Sequence, residues 1–282
     1  MTGVGPFSIA VVVALLAALA GYATARLSAR RQPDAPTRAV GALLVDAVFI
    51  GLLVARAAYV VRWWPQYATA PWSIAAIGDG GFAWWAGLPA ALAFVAWRTR
   101  RLQPLRRPAL LGVAAGVAVW LAGTGVVELM HRSAPPLPAT QLTTLDGTPA
   151  RLDGFTGAPV VVNLWATWCP PCRREMPALA EAQAAYPGMR FVLPNQGEAA
   201  QTVRDFLAEE GLALDHVLLD PHSATMRAFG SRGLPTTLFF DADGRLVDAH
   251  MGELTRASLA DTLRRRFGAV ATLSSPPPES HE

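Results

Sequence analysis

The chain has 282 residues, of which 52% are hydrophobic and 16% are charged, and its formal net charge is +3. A basic balance can indicate nucleic-acid binding, but residues 133–282 hold 12 Arg against 17 Asp or Glu, a net charge of −5. The basic excess therefore lies in short loops of the apolar N-terminal half. Membrane topology explains that distribution, so we expect no nucleic-acid partner.

Four apolar stretches in the N-terminal half approach the roughly 20 residues that a transmembrane helix needs. They cover residues 7–27, 40–61, 72–97 and 108–130. The second stretch carries Asp46 and Arg56, and the third is interrupted by Gly78-Asp79-Gly80-Gly81. We expect an α-helical membrane region of about four spans at residues 1–131, in contact with the lipid bilayer.

The arginines between these stretches predict an orientation. The loops after the first and third stretches are rich in Arg, whereas the loop after the second holds Arg62 alone. Because Lys and Arg collect on the cytoplasmic side, everything after Met130 is expected outside the cytoplasm. This pattern predicts a multi-pass membrane protein with its C-terminal half on the extracytoplasmic side. Residues 1–7 carry no Arg, which favours a retained first span over a cleaved signal peptide.

One segment of the membrane region reads GLLVARAAYVVRWWPQYATAPWSIAAIGDGGFAWWAGLPAAL. It resembles part of the prolipoprotein diacylglyceryl transferase family, which implies a related helical scaffold. The family's His-Gly-Gly segment is replaced by Trp85-Ala86-Gly87, and its later Gly-Arg-x-Gly-Asn signature has no counterpart. These departures favour a repurposed anchor over lipid transfer. Arg56 either faces a protein interior or snorkels to the interface; a direct pair with Asp46 is not expected, since they lie ten residues apart.

The C-terminal half begins with a Pro-rich run at residues 132–140, expected to be an extended linker, and ends with a polar tail at residues 271–282, expected to be disordered. Between them, residues 141–270 alternate strand and helix patterns. The predicted strands are 142–145, 150–152, 160–165, 190–193, 216–219, 236–240 and 246–250. The predicted helices are 171–186, 198–210, a short helix ending near residue 229, and 256–267. This alternation predicts an α/β domain with a mixed central sheet and helices on both faces.

The chain contains two cysteines, Cys169 and Cys172, in the segment ATWCPPCRREMP. A zinc site needs four ligands, and neither a second Cys pair nor clustered His is present; covalent haem needs His after the second Cys, where Arg173 stands. A four-residue disulfide ring stabilises a fold little. We therefore expect a redox dithiol with no metal and no cofactor. Cys169 follows a strand and opens a helix, where the helix dipole lowers a thiol pKa and makes it the attacking nucleophile. Cys172 would resolve the mixed disulfide.

Two segments, VVVNLWATWCPPCRREMPAL and GSRGLPTTLFFDADGRLV, resemble the thioredoxin superfamily, and specifically its TlpA/ResA-like thiol-disulfide oxidoreductases. The resemblance implies that Trp168, Leu234 and a cis Pro235 contact the substrate. It also implies that Glu175 takes a proton from Cys172, the alternative being a solvated Glu in the first helical turn. Asn163 stands where cytosolic thioredoxins have a buried Asp.

The resemblance implies a membrane-anchored reductase of disulfides in envelope proteins, recharged by a separate membrane thiol donor because residues 1–130 contain no cysteine. Two alternatives stay open. The protein could be an oxidase that donates its disulfide, or a lipid-handling membrane protein with a non-catalytic thioredoxin-like binding module. Residues Asn195 and Gln196 either shape a substrate groove or lie in a polar loop.

Overall fold

The structure is a computed structural model that describes residues 3–4, 7–32, 37–100, 102–132 and 136–268. The chain divides into two compact units, residues 7–130 and residues 131–282 together with 1–6. The predicted tail at residues 271–282 and residues 133–135 of the predicted linker lie outside the described residues.

The N-terminal unit is helical. Its elements are β2 (Phe7–Ser8), α1 (Ile9–Arg30), α2 (Thr37–Arg62), α3 (Trp64–Ala68), α4 (Trp84–Thr99) and α5 (Gln103–Arg132), and the short strand β1 (Gly3–Val4) precedes this unit in the chain. Within the described residues, α1, α2 and α5 contain segments long and apolar enough to cross a membrane. Large apolar side chains on these helices, such as Leu15, Phe49 and Leu121, are exposed, as expected for residues that face lipid.

The third predicted span differs from the other three. Residues 71–83 form two 3₁₀ turns, Pro71–Ala75 and Ile77–Asp79, and the helix α4 starts only at Trp84. A helix of 16 residues is roughly 24 Å long, which is shorter than the hydrocarbon core of about 30 Å. The Gly-Asp-Gly-Gly interruption thus shortens the helix rather than merely weakening its apolar pattern.

Helices α2 and α4 approach each other through glycines. A Cβ atom added at Gly87 would lie 2.6 Å from the Gly51 carbonyl oxygen and 2.7 Å from the Ala55 Cβ. Small residues of this kind allow helix backbones to pack closely within a membrane. The contact fixes α4 against α2 although α4 is short.

Arg56 binds groups inside the protein, so of the two alternatives the snorkelling one is wrong. Its Nη1 donates to Asp79 Oδ1 and to the Gly81 carbonyl, both at 2.8 Å, and its Nη2 donates to the Ile74 carbonyl at 2.9 Å. Tyr67 donates its hydroxyl to Asp79 Oδ2 at 2.9 Å. The acidic partner is therefore Asp79 rather than Asp46, because the 3₁₀ turns fold residues 71–81 back onto α2. Arg56 is a structural clamp for that segment.

The C-terminal unit is built around a seven-stranded sheet in the order β4-β3-β7-β6-β5-β8-β9. The strands are β3 (Gln141–Thr144), β4 (Pro149–Arg151), β5 (Val160–Leu164), β6 (Arg190–Gln196), β7 (His216–Asp220), β8 (Thr236–Phe240) and β9 (Leu246–Met251). Strands β5, β6 and β7 are parallel, and the remaining pairs are antiparallel. A 3₁₀ turn at Leu152–Phe155 and the helices α6 (Pro170–Ala185), α7 (Ala200–Glu209), α8 (Ala224–Phe229) and α9 (Arg256–Phe267) complete the unit. The predicted mixed sheet is confirmed.

Every residue of β5 is buried because the sheet is covered on both faces. On one face, Val161 and Trp165 pack with α6, α7 and α9; on the other, Val160 and Val162 join a second apolar cluster that includes α8. Leu137 belongs to this second cluster and is 5% exposed, and its N–H donates to the Gly244 carbonyl at 2.9 Å. The predicted linker is therefore already packed against the domain from Leu137 onward.

Candidate active site

The two cysteines lie at the junction of β5 and α6. Cys169 is the N-cap residue of α6, and the Cys172 N–H donates to its Sγ atom at 3.3 Å. Pro170 and Pro171 fill the first turn, where a missing N–H costs no helical hydrogen bond. The two sulfurs form a disulfide, with Cys169 4% exposed and Cys172 fully buried. An approaching thiol or disulfide therefore meets Cys169 first.

Trp168 and the Leu234-Pro235 pair flank the cysteines. Within residues 136–268, Trp168 is the large hydrophobic side chain that stands out to solvent, at 68% exposure. The Leu234–Pro235 peptide bond is cis, as predicted. Leu164, the last residue of β5, pairs with Thr236, the first residue of β8. Leu234 and Pro235 directly precede β8, so they lie at the same end of the sheet as the cysteine loop, which follows β5. The structure thus gathers the three predicted substrate contacts at the dithiol end of the sheet.

Glu175 lies inside the domain, so the alternative of a solvated Glu is wrong. It is 1% exposed, and it follows Cys172 by three residues on α6, a spacing that places two side chains on one helix face with Cβ atoms about 5–6 Å apart. Asn163 donates its Nδ2 to Glu175 Oε1 at 2.7 Å, and the Leu254 N–H donates to Oε2 at 2.9 Å. Both carboxyl oxygens are therefore held in fixed positions.

Burial raises the pKa of Glu175 to about 8, and the nearby Glu253 carboxylate raises it further, while the hydrogen bonds from Leu254 and Asn163 oppose the shift. The carboxyl group consequently carries a proton at neutral pH in the disulfide form. Asn163 also donates to Thr237 Oγ1 at 3.0 Å. The neutral Asn163 amide donates a hydrogen bond to Glu175. An ionised Asp at this position would disfavour the ionised form of Glu175.

Asn195 and Gln196 do not lie in a polar loop, because β6 continues through Gln196 and buries both side chains. Gln196 donates to the Pro194 carbonyl at 2.9 Å and to Thr225 Oγ1 at 3.0 Å. Asn195 donates to Glu198 Oε2 at 2.7 Å. Both amides find hydrogen-bond partners within the domain, so the two residues belong to the sheet.

Glu198, which was not among the predicted site residues, contacts the cysteine loop directly. Its carboxylate accepts the Thr167 N–H at 2.7 Å and the Thr167 hydroxyl at 2.5 Å. One signal could have found it. Thr167 follows β5 and Glu198 follows β6, and the carboxyl ends of neighbouring parallel strands meet at one sheet edge. Among the described residues, no cluster of three His, Cys, Asp or Glu side chains is arranged to hold a metal ion.

Comparison with known proteins matches two families to the two halves of the chain. The Redoxin family matches residues 132–263, and the prolipoprotein diacylglyceryl transferase family matches residues 3–134. Thiol-disulfide oxidoreductase ResA of Geobacillus thermodenitrificans is 32% identical over 128 residues, which cover 45% of this chain and 73% of that protein. The ResA of Bacillus thuringiensis subsp. konkukian is 30% identical over 130 residues, covering 45% and 75%. A crystal structure of a putative thiol:disulfide interchange protein DsbE from Chlorobium tepidum is 28% identical, covering 46% of this chain and 92% of that one with a TM-score of 0.42.

The family matches agree with the two units of the fold. The redoxin-like half carries the dithiol, and the half similar to prolipoprotein diacylglyceryl transferase carries the apolar helices, so the protein is a membrane protein that acts on thiols or disulfides. With a relative that is 32% identical across 73% of its length, the chain belongs to the ResA family of thiol-disulfide oxidoreductases.

Proposed function

We propose that the protein reduces disulfides of envelope proteins on the extracytoplasmic side of the bacterial inner membrane. The observation that carries this proposal is the buried Glu175 carboxyl, one helical turn after Cys172 and held by two hydrogen bonds. Such a group has no role in a passive binding module. It has one in a reaction that must move a proton at a buried thiol.

The first step is attack by the Cys169 thiolate on a substrate disulfide. A bond forms between Cys169 Sγ and one substrate sulfur, and the other substrate sulfur leaves as a thiolate. The N-terminus of α6, where Cys169 is the N-cap, stabilises the attacking thiolate through its free N–H groups and dipole. Because Cys172 is buried, it takes no part in this step.

The second step closes the protein disulfide. In reduced molecules whose Glu175 is ionised, the Cys172 thiol passes its proton to that carboxylate, its sulfur attacks Cys169 Sγ, and the second substrate sulfur leaves as a thiolate. The pKa of Glu175 is about 8 in the disulfide form, so the carboxyl keeps the proton at neutral pH. When a donor dithiol reduces the protein again, Glu175 returns that proton to the departing Cys172 sulfur.

Trp168, Leu234 and Pro235 form the proposed substrate contacts. Trp168 offers an exposed aromatic face next to Cys169, and Leu234 and Pro235 lie at the same sheet edge. An extended substrate segment can pair with the Leu234 backbone while its disulfide faces Cys169. This arrangement suits protein substrates rather than small dithiols.

In this proposal, the membrane region determines where the redox domain acts. We propose a transmembrane region at residues 1–131, a linker at 132–140, the redox domain at 141–270 and a tail at 271–282, with the domain in the periplasm because the Arg-rich loops are expected in the cytoplasm. The chain has no cysteine outside the dithiol, so a separate membrane thiol donor must recharge it. Lipid transfer is disfavoured, since Trp85 stands in place of the family's His.

The test is to trap substrates with Cys172→Ser in the full-length chain. The variant cannot resolve the mixed disulfide, so envelope proteins should accumulate in covalent complexes with Cys169 that dissociate on reduction. Cys169→Ser is the matched control and should trap nothing. Function that survives Cys169→Ser would instead support a non-catalytic binding module. A dithiol found mainly as the disulfide in growing cells would support the oxidase.

A further inference from the structure

The carboxylate of Glu198 accepts three hydrogen bonds. It accepts the N–H and the hydroxyl of Thr167, and it accepts Asn195 Nδ2 at 2.7 Å. Thr167 lies two residues before Cys169, and Asn195 is fully buried at the end of β6. The carboxylate therefore joins the loop that carries the nucleophile to a buried residue of the sheet.

The backbone around Glu198 is arranged to direct it toward that loop. Gly197 has a φ of +80°, a conformation that favours glycine, and its N–H donates to the Asp220 carbonyl at 3.0 Å. The Gln196 N–H donates to the Trp165 carbonyl at 2.9 Å. These two hydrogen bonds hold the turn after β6 on both sides, and the Glu198 side chain that follows the turn lies against Thr167.

We propose that Glu198 is a positioning residue that holds Thr167, and through it Trp168 and Cys169, in the geometry for thiol-disulfide exchange. This inference rests on the proposed function of Cys169. Exchange requires the attacking sulfur to approach the substrate disulfide along a restricted direction. A loop tied at Thr167 meets the substrate in that geometry, whereas an untied loop must be ordered during the reaction.

The chemistry of the clamp requires a carboxylate of this length. Three donors need acceptors, and a carboxylate has only acceptors, whereas a glutamine amide would direct its own N–H groups at one of the donors. Aspartate keeps the charge but is shorter by one methylene, about 1.5 Å. Both Glu198→Gln and Glu198→Asp should therefore loosen the loop.

The experiment measures the reaction of reduced full-length protein in detergent with a small aromatic disulfide. We expect Glu198→Gln and Glu198→Asp to lower the rate constant of Cys169 about 10- to 100-fold in protein that is still folded at the temperature of the assay. Glu209→Gln, an exposed change on α7, is the matched control. Thr167→Ser keeps both donors and should react like the wild type, while Thr167→Val loses the hydroxyl bond and should fall between.

The outcomes separate this inference from the proposed function. If Cys169 of the wild type does not react with disulfides, the proposed function is wrong. If the wild type reacts and the Glu198 variants react equally fast, the positioning role is wrong. A lower denaturation midpoint in Glu198→Gln with an unchanged rate constant in the folded protein would show a purely structural residue and would also overturn the inference.

Discussion

Cys172 and Glu175 share one buried face of α6, and neither side chain reaches solvent. The pKa of a carboxyl group in this position is determined by the surrounding protein rather than by bulk water. Its pKa of about 8 arises mainly from burial, against the hydrogen bonds of Leu254 and Asn163. The pKa of Glu175, and with it the proposed proton transfer at Cys172, therefore depends on burial and on two hydrogen-bond donors from other segments of the chain.

Replacing Glu175 with Gln should slow the closing of the protein disulfide. Without an internal acceptor, Cys172 must lose its proton to water that cannot reach it, and general-base catalysis contributes about 10²–10⁴-fold. We expect the resolution rate at pH 7 to fall by about 100-fold while attack by Cys169 is nearly unchanged. Rapid-quench measurement of the mixed disulfide, followed over time, checks this.

The titration of Glu175 should also make the stability of the domain depend on pH. The folded pKa of Glu175 is about 8 against 4.5 for the free group, so the folded state binds an extra proton between these values. The contribution of Glu175 to the free energy of unfolding is then fully present below pH 4.5 and decreases as the pH rises toward 8. Glu175→Gln should remove this decrease, and Glu181→Gln on the exposed side of α6 should retain it. Equal pH profiles for both variants would contradict the assigned pKa.

Some of these residues could be predicted from sequence and others could not. Cys172 and Glu175 lie three residues apart in one helix, and the resemblance to TlpA/ResA-like proteins implied the role of Glu175. Glu198 binds Thr167 from 31 positions away, and Arg56 binds Asp79 from 23 positions away. Such pairs form only where separate strands and turns come together, so residue spacing within one element does not predict them.

At the scale of elements, the domain was predicted more completely than the membrane region. Strand β5 is a continuous apolar run and α9 follows a Thr255-Ser258 capping box, so both are encoded locally. The end of β6 was missed because Asn195 and Gln196 are polar, and their burial depends on partners from other elements. Likewise, α4 is shorter than expected because Arg56 holds the preceding turns against α2.

The contact between α2 and α4 gives a test of the membrane unit. Gly87→Ala would place a Cβ atom 2.6 Å from the Gly51 carbonyl, and overpacking of this kind costs about 1–3 kcal/mol. Gly125→Ala in α5 meets no atom within 4 Å and should be neutral or stabilising, since Ala favours helix. Thermal unfolding of the full chain in detergent should show a lower midpoint for Gly87→Ala alone. Identical midpoints would mean that the helices are not in close contact.

At the scale of the molecule, the chain combines a helical membrane unit with a redox domain. The domain contains both cysteines, and the membrane unit contributes a closely packed bundle with its own buried ion pair between Arg56 and Asp79. A bundle with its own polar interior is more than a single hydrophobic anchor requires. We expect it to contact the membrane thiol donor that recharges the dithiol.

Exchanging residues 1–130 for a single unrelated transmembrane helix tests that expectation. The exchanged protein should keep the reaction of Cys169 with small disulfides in detergent, because the site lies wholly in the domain. In cells, its dithiol should accumulate as the disulfide, because recharging is slow without the docking surface. A steady-state redox ratio equal to that of the wild type would reduce the membrane unit to a tether.

The buried Leu137 determines where a soluble fragment of the domain can begin. A fragment cut at residue 141 would lose a side chain that is 5% exposed in the apolar cluster beneath the sheet, and it would leave the Gly244 carbonyl without its N–H partner. Burial of one leucine contributes about 1.5–3 kcal/mol, a large share of the stability of a small domain. Expression of the isolated domain for crystallisation or redox titration should therefore start upstream of Leu137.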